Sequence, residues 1–208
     1  MKELSDRIQG LKANGVKAQV DSRLKEFEAL GKKPSQELFK EMCFCILTAN
    51  SSAKKCMEIQ RSIDNGFLGL PKEKLAAKLK ELGYRFPNKR AEYISEARKH
   101  KDSLKSTINS FGQEADLRQW LVKNVKGLGY KEASHFLRNI GFKDSAILDF
   151  HIIDILEEHD LIERPKSLTP NKYIEIESEL KKIGQKLNLN MAELDLYLWC
   201  AETGCVLK

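Results

Sequence analysis

Apolar residues recur every three to four positions along most of the chain, which is the spacing of one face of an α-helix. The pattern runs from Leu4 to Leu30 and stops at Gly31. It resumes after Pro34 in a stretch, 38–47, that is apolar almost all round and is therefore typical of a buried helix. Further helical patterns follow at 52–63, 71–83, 88–108, 113–125, 149–162, 171–187 and 190–204.

These patterns predict an all-α fold built from two helical lobes. Few stretches alternate with period two, and SAILDF (145–150) is a candidate for a short extended piece. We expect a single unit over residues 1–208. Its central lobe would span 36–148, and its second lobe would combine 149–208 with 1–35.

The composition narrows the class of protein. Lys and Arg total 36 against 30 Asp and Glu, a net charge of +6. This excess suits a polyanionic partner, although solvated helix faces explain it equally well. There is no apolar run long enough for a membrane span and no secretory signal at the start. The five cysteines lack the spacing of a zinc or iron–sulfur site, so we interpret them as thiols in a reducing, cytoplasmic compartment and expect no metal.

The stretch VKGLGYKEASHFLRNIG (125–141) carries the first candidate chemistry. Gly127 and Gly129 flank Leu128 and permit a tight bend with exposed backbone N–H groups. The bend opens a helix whose N-terminus carries partial positive charge, which favours a phosphate. With the helical pattern before it, the unit (about 117–141) is a helix–hairpin–helix. An ordinary helical corner with glycine caps is the alternative.

Lys131 and Asp149 add a candidate reaction to this bend. Lys131 follows Gly129 by two residues, and Asp149 follows 18 residues later. A deprotonated lysine is a nucleophile, and burial near a positive helix end favours that form. The carboxylate could stabilise positive charge on a sugar ring while the amine attacks the anomeric carbon. The alternatives are a solvated lysine and an aspartate that caps the next helix, and capping is compatible with catalysis.

GLGYKEASHFL…ILDFHI resembles the signature of the helix–hairpin–helix superfamily of DNA base-excision glycosylases. The resemblance implies that Lys131 is the nucleophile and Asp149 the acid of the family. A lysine at this position marks members that are both glycosylase and abasic-site lyase. It also implies a DNA-binding cleft between the two lobes, with no required cofactor.

Further stretches resemble the compact, archaeal-type class of 8-oxoguanine DNA glycosylases. CFCILTANSSAKK (43–55) places Asn50 where an asparagine fills the gap left by the extruded base, and LGYRFPNKRAEYI (82–94) resembles a second DNA-contacting loop. The ending LDLYLWCAETGCVLK resembles a C-terminal helix and lysine that close over the damaged base. Only two cysteines lie near the C-terminus, which argues against the iron–sulfur relatives.

The remaining candidates take their roles from residue type and position, except Lys208, whose role the resemblance implies. Phe86 would wedge between bases with Arg85 on the orphaned cytosine; the alternative for Phe86 is a local hydrophobic cap. Trp199 would be the platform for the extruded base, or else a core residue. The Lys208 carboxylate would help to recognise the N7 proton of 8-oxoguanine, or else belong to a frayed tail. His151 is a candidate phosphate contact.

His135 follows Lys131 by one helical turn, and we interpret it as a packing or phosphate-side residue rather than a base. The expected partner of the whole chain is double-stranded DNA with a damaged base, bound by a monomer in the nucleoid-associated cytoplasm. Two alternatives stay open. The substrate could be an oxidised pyrimidine or alkylated purine, or the chain could be a non-enzymatic helix–hairpin–helix DNA-binding protein.

Overall fold

The structure is a computed structural model that describes residues 2–208, and it is all-α as predicted. The helices are α1 (Lys2–Ala13), α2 (Val16–Gly31), α3 (Ser35–Thr48), α4 (Ala53–Ile63), α5 (Gly66–Gly69), α6 (Lys72–Glu81), α7 (Pro87–Ala97), α8 (Leu104–Asn109), α9 (Glu114–Asn124), α10 (Tyr130–Asn139), α11 (Phe150–Glu158), α12 (Pro170–Leu187) and α13 (Met191–Thr203), with a 3-10 turn at Arg98–His100. None of the helices within 2–208 is both long and apolar enough to cross a membrane.

Two hydrophobic clusters correspond to the two lobes. The first contains buried residues between Leu38 and Ile140, with α3 at its centre. The second combines apolar residues of α1 and α2 with those of 146–198. Ala146 and Leu148 therefore pack with the second cluster, slightly before the boundary at 148 that the sequence suggested.

Two continuous patterns in the sequence are broken in the structure. The pattern from Leu4 to Leu30 forms two helices, because Gly15 adopts a left-handed backbone with φ +82° between them. The segment 88–108 likewise divides into α7, the 3-10 turn and α8. Periodicity alone does not show these breaks, because the apolar face continues across them.

The lobes meet at a close backbone contact between α2 and the end of α10. A Cβ atom on Gly31 would lie 2.0 Å from the Ile140 carbonyl oxygen. A Cβ on Gly141, where φ is +96°, would lie 3.1 Å from the Glu28 Cα. Glycine is needed at both points because the two main chains approach too closely for any side chain.

The segment 142–149 links the lobes without forming a helix or strand. Ser145, Ala146, Ile147 and Leu148 are all buried. Since buried backbone groups must be hydrogen-bonded, this segment needs partners other than a sheet. It leads directly to Asp149, so its placement decides where that carboxylate lies.

Candidate active site

A cleft of about 870 Å³ lies between the lobes and receives residues from both. The central lobe contributes the turn after α3, Arg85 and one face of α10. The second lobe contributes 147–151 and parts of α13 and the tail. The cleft brings together seven of the site residues predicted from the sequence: Asn50, Arg85, Lys131, Asp149, His151, Trp199 and Lys208. His135 also lines it.

The hairpin before α10 is built around Gly127. Its φ is +94°, and a Cβ there would lie 2.5 Å from the Tyr93 ring, so only glycine fits without displacement. Gly129 differs, because its φ of −86° is open to any residue. The Leu128 side chain is buried in the first cluster, which leaves only its main chain available to DNA.

Lys131 lies in the first turn of α10 and its side chain is 23% exposed, at the wall of the cleft. Glu132, the next residue, accepts a hydrogen bond from the Gly129 N–H at 3.2 Å. Its other carboxylate oxygen lies 3.7 Å from the Lys131 Nζ. Glu132 therefore stabilises both the start of the helix and the position of the lysine.

Asp149 caps α11 and lines the same cleft as Lys131. Its Oδ1 accepts a hydrogen bond from the Ile152 N–H at 3.0 Å. Capping holds the carboxylate in one orientation, and the cleft leaves it accessible. The capping role considered for Asp149 is thus present, and the residue lines the same cleft as Lys131.

Asn50, Arg85 and Phe86 lie at the side of the cleft formed by the central lobe. Asn50 is exposed and adopts a left-handed backbone (φ +58°) just after α3. Phe86 precedes α7 and packs partly against the first cluster. The Arg85 guanidinium lies 4.9 Å from the centre of the Phe86 ring. Phe86 is therefore packed against the protein and only partly exposed, and its wedge role stays a prediction.

Three aromatic residues form the opposite side of the cleft. Trp199 is half-buried, and its Nε1 is buried without a hydrogen-bond partner. His151 meets the Trp199 ring edge-on, with centroids 5.3 Å apart. Phe150 stacks on His151 with centroids 4.0 Å apart and is 67% exposed. Phe150 was not among the residues predicted from the sequence. It could have been found as a large aromatic residue in the first turn of α11, directly after the capping Asp149, because the buried face of that helix is formed by later apolar residues.

Lys208 is anchored, so the frayed tail considered for it is wrong. Its Nζ donates to Glu41 Oε2 at 2.8 Å and to Gln60 Oε1 at 2.7 Å. It also lies 4.3 Å from the centre of the Phe44 ring. The Glu41 side chain is 3% exposed, so this is a largely desolvated ion pair. The side chain of Lys208 thereby fixes the tail at the wall of the cleft.

Glu41 extends this contact into a buried polar chain. It accepts from Asn139 Nδ2 at 2.6 Å, and Asn139 Oδ1 accepts from Arg138 at 2.9 and 3.1 Å. Arg138 in turn pairs with Asp195 on α13. Burial raises the pKa of the Asp195 carboxyl, with the nearby Asp149 charge adding to the shift and Arg138 opposing it. The chain connects α3, α10 and α13 beneath the cleft.

His135 forms part of the cleft wall, beside Phe44 at 5.5 Å between ring centres. Burial lowers the pKa of His135 well below 6.5, and the charges of Arg138, Lys131 and Lys208 lower it further. The imidazole is therefore neutral at physiological pH, and neither nitrogen makes a hydrogen bond of good geometry. The packing role expected for it is present, and it faces the cleft.

The cysteines and acids do not assemble into a metal site. Within 2–208 no three His, Cys, Asp or Glu side chains are placed to hold an ion. Cys43 and Cys45 are fully buried, which raises the pKa of both thiols. All five cysteines are free.

Comparison with known proteins decides the family. A family model described as 8-oxoguanine DNA glycosylase matches residues 20–189. The chain belongs to this family. It is 52% identical over 207 residues to a protein of Korarchaeum cryptofilum named 8-oxoguanine DNA glycosylase/AP lyase, covering 99% of this chain and 98% of the relative.

Solved structures of relatives share the fold. The Methanocaldococcus jannaschii 8-oxoguanine glycosylase/lyase in complex with a 15mer DNA containing 8-oxoguanine has a TM-score of 0.97 at 50% identity, over 99% of this chain and all of that one. The Thermotoga maritima 8-oxoguanine DNA glycosylase has a TM-score of 0.95 at 42% identity, over the full length of both chains. These matches confirm the predicted family and the all-α fold.

Proposed function

We propose that Lys131 and Asp149 of this 8-oxoguanine DNA glycosylase/AP lyase carry out base release and strand cleavage. The observation that supports the proposal most directly is that both side chains line one cleft between the lobes. Lys131 approaches from the start of α10, and Asp149 approaches from the start of α11. A sugar held between them would meet an amine and a carboxylate together.

The reaction follows from these two groups. As the glycosidic bond breaks, the Asp149 carboxylate stabilises the positive charge that develops on the sugar. The Lys131 amine bonds to C1′ as the glycosidic bond breaks, and the base leaves with that bonding electron pair and takes up the proton that the amine releases. The nitrogen lone pair then forms a double bond to C1′ while the C1′–O4′ bond breaks and the ring oxygen takes up a proton from water. The resulting protonated imine acidifies the C2′ proton. Removal of that proton expels the 3′ phosphate and breaks the strand.

The other predicted residues have roles around the extruded nucleotide. The Gly127–Gly129 main chain would hold a backbone phosphate, with His151 as a further phosphate contact. Asn50, Arg85 and Phe86 would occupy the gap in the duplex and contact the opposite base. Trp199 would stack on the extruded base, an interaction worth about 1–3 kcal/mol, and Lys208 would help to select 8-oxoguanine.

Double-stranded DNA with a damaged base is the proposed partner, and a single chain is the proposed functional unit. The support is that a single chain brings Lys131 and Asp149 to one cleft. We place the activity in the nucleoid-associated cytoplasm, where such DNA is found. Size-exclusion chromatography of the DNA complex would refute the monomer if it gave two chains per duplex.

Borohydride trapping tests the nucleophile. The unaltered protein should form a covalent adduct with an 8-oxoguanine duplex, while Lys131→Gln should bind this duplex and form none. Lys126→Gln is the matched control, because Lys126 lies on the same hairpin but pairs with Glu92 and Glu96 at the surface. Adduct formation by Lys131→Gln at the unaltered rate would assign the nucleophile to another residue.

A further inference from the structure

Tyr173, on α12, contacts the segment that carries Asp149. Its hydroxyl donates to the Ala146 carbonyl oxygen at 2.7 Å and accepts from the Leu148 N–H at 3.1 Å. The same oxygen lies 3.5 Å from Ser134 Oγ on α10. One phenol therefore contacts both the main chain directly before Asp149 and the helix that begins with Lys131.

Glu177, one helical turn later, completes the support of this segment. Its Oε1 accepts from the Ala146 N–H at 2.7 Å. The same carboxylate forms a two-point ion pair with Arg118 of α9, at 2.6 and 2.7 Å. Arg118 also donates to Ser134 Oγ at 3.2 Å. Tyr173, Glu177, Arg118 and Ser134 are all buried.

The segment depends on these side chains because it has no sheet around it. A buried N–H or C=O without a partner is costly, so the partners determine the path of the main chain. Burial raises the pKa of Tyr173, and its hydroxyl stays protonated and keeps donating to Ala146 at any pH at which the protein folds. Asp149 follows Leu148 directly, and its position is set by the same bonds.

We propose that Tyr173 is a positioning residue for Asp149, and that it fixes the carboxylate relative to Lys131. The inference rests on the proposed roles of that pair. Tyr173 itself does not line the cleft. Its hydroxyl acts through the Ala146–Leu148 main chain, and Glu177, which is paired with Arg118, accepts from the Ala146 N–H of the same segment.

Tyr173→Phe tests the proposal, because it removes one oxygen and keeps the ring. Single-turnover release of 8-oxoguanine should slow by about 10- to 100-fold, since displacement of a catalytic group by about 1 Å has effects of this size. Affinity for a duplex containing a tetrahydrofuran abasic-site analogue should change by less than about two-fold. Tyr197→Phe is the control: that ring is buried in the same cluster, near Lys17 and Asp21 of α2, and its release rate should match the unaltered protein.

The decisive measurement repeats the substitution in an Asp149→Asn background. If the hydroxyl acts through Asp149, Tyr173→Phe should lower the residual rate there by less than about two-fold. A loss as large as in the unaltered background would overturn the proposal, because the hydroxyl would then act elsewhere. A Tyr173→Phe rate equal to that of the Tyr197→Phe control would also overturn it.

A second variant covers the case in which Tyr173→Phe does not fold. If Tyr173→Phe fails to fold, Ser134→Ala replaces it, since that change loosens the α10 side of the junction without stranding a main-chain group. Ser134→Ala should then slow base release by about three-fold or more, and an unchanged rate would overturn the proposal. If the unaltered protein releases no 8-oxoguanine, the proposed roles of Lys131 and Asp149 fail, and this inference fails with them.

Discussion

The anchor of the tail gives a prediction about stability that needs no substrate. Glu41 is buried and accepts hydrogen bonds from Asn139, Gln60 and Lys208 at 2.6, 3.0 and 2.8 Å. Glu41→Gln keeps the shape of the side chain and one carbonyl oxygen. The new N–H₂ group replaces either Oε1, so that Asn139 loses its acceptor, or Oε2, so that Gln60 and Lys208 both lose theirs.

The expected loss of unfolding free energy in Glu41→Gln follows from the hydrogen bonds that are lost. The Lys208 ammonium lies in the part-exposed tail and can turn to water, so its charge is not left buried. In either orientation at least one charge-assisted hydrogen bond is lost, and such a bond is worth about 1.5–3 kcal/mol. For a chain of this size, each kcal/mol lowers the unfolding midpoint by roughly 2–4 °C. We expect Glu41→Gln to unfold about 4–10 °C below the unaltered protein.

Thermal unfolding followed by circular dichroism measures this shift. Glu179→Gln is the control, because its carboxylate pairs with Lys182 at the surface and such pairs contribute about 0–1 kcal/mol. Combining Glu41→Gln with Lys208→Met should cost less than the sum of the two single changes, with a coupling energy of about 1–2 kcal/mol. Equal midpoints for Glu41→Gln and Glu179→Gln, or strictly additive changes, would refute the anchoring role of Glu41.

Three further predictions concern other parts of the cleft. The pKa of His135 is lowered in the folded state, so the unfolded state binds the extra proton as the pH falls below about 6.5, and the free energy of unfolding decreases. His135→Gln should therefore reduce this acid-induced loss at pH 5 by about 2 kcal/mol. An equal loss of unfolding free energy in both proteins, measured by urea unfolding, would contradict this. Gly127→Ala should lower the unfolding midpoint because its Cβ meets the Tyr93 ring, whereas Gly10→Ala, at an open helix position, should raise the free energy of unfolding by up to about 1 kcal/mol. A Gly127→Ala midpoint at or above that of the unaltered protein would exclude the steric argument. Phe150→Ala should keep the unfolding midpoint within about 2 °C of that of the unaltered protein, since the ring is exposed. It should weaken binding of an 8-oxoguanine duplex by about ten-fold or more, and unchanged affinity would mean that Phe150 does not contact DNA.

The proposed catalytic pair could be predicted from the sequence because its residues lie close together in the chain. Gly127, Lys131 and Asp149 lie within a short stretch whose turn and helix starts are marked by their own residues. The spacing alone therefore places the lysine and the aspartate at two neighbouring helix starts. The structure adds that both line one cleft, which spacing could not show.

The supporting polar contacts were not accessible in this way. Arg118 and Glu177 lie 59 positions apart, and Asn139 and Glu41 lie 98 apart. Each of these residues looks like a solvated position on an amphipathic helix, because period 3.6 does not distinguish a buried charge from an exposed one. Only the tertiary packing of the helices brings the partners together and removes them from water. Gly15 illustrates the same limit for helix boundaries.

The joint between the lobes has a consequence for the DNA. Main chain lies against main chain at Gly31 and Gly141, and buried ion pairs cross from α9 and α10 to α12 and α13. A joint of this kind resists hinge motion, so a duplex bound between the lobes as proposed would have to adapt its shape to the protein. Lesions in sequences that kink easily should then be processed faster than the same lesions in stiff tracts.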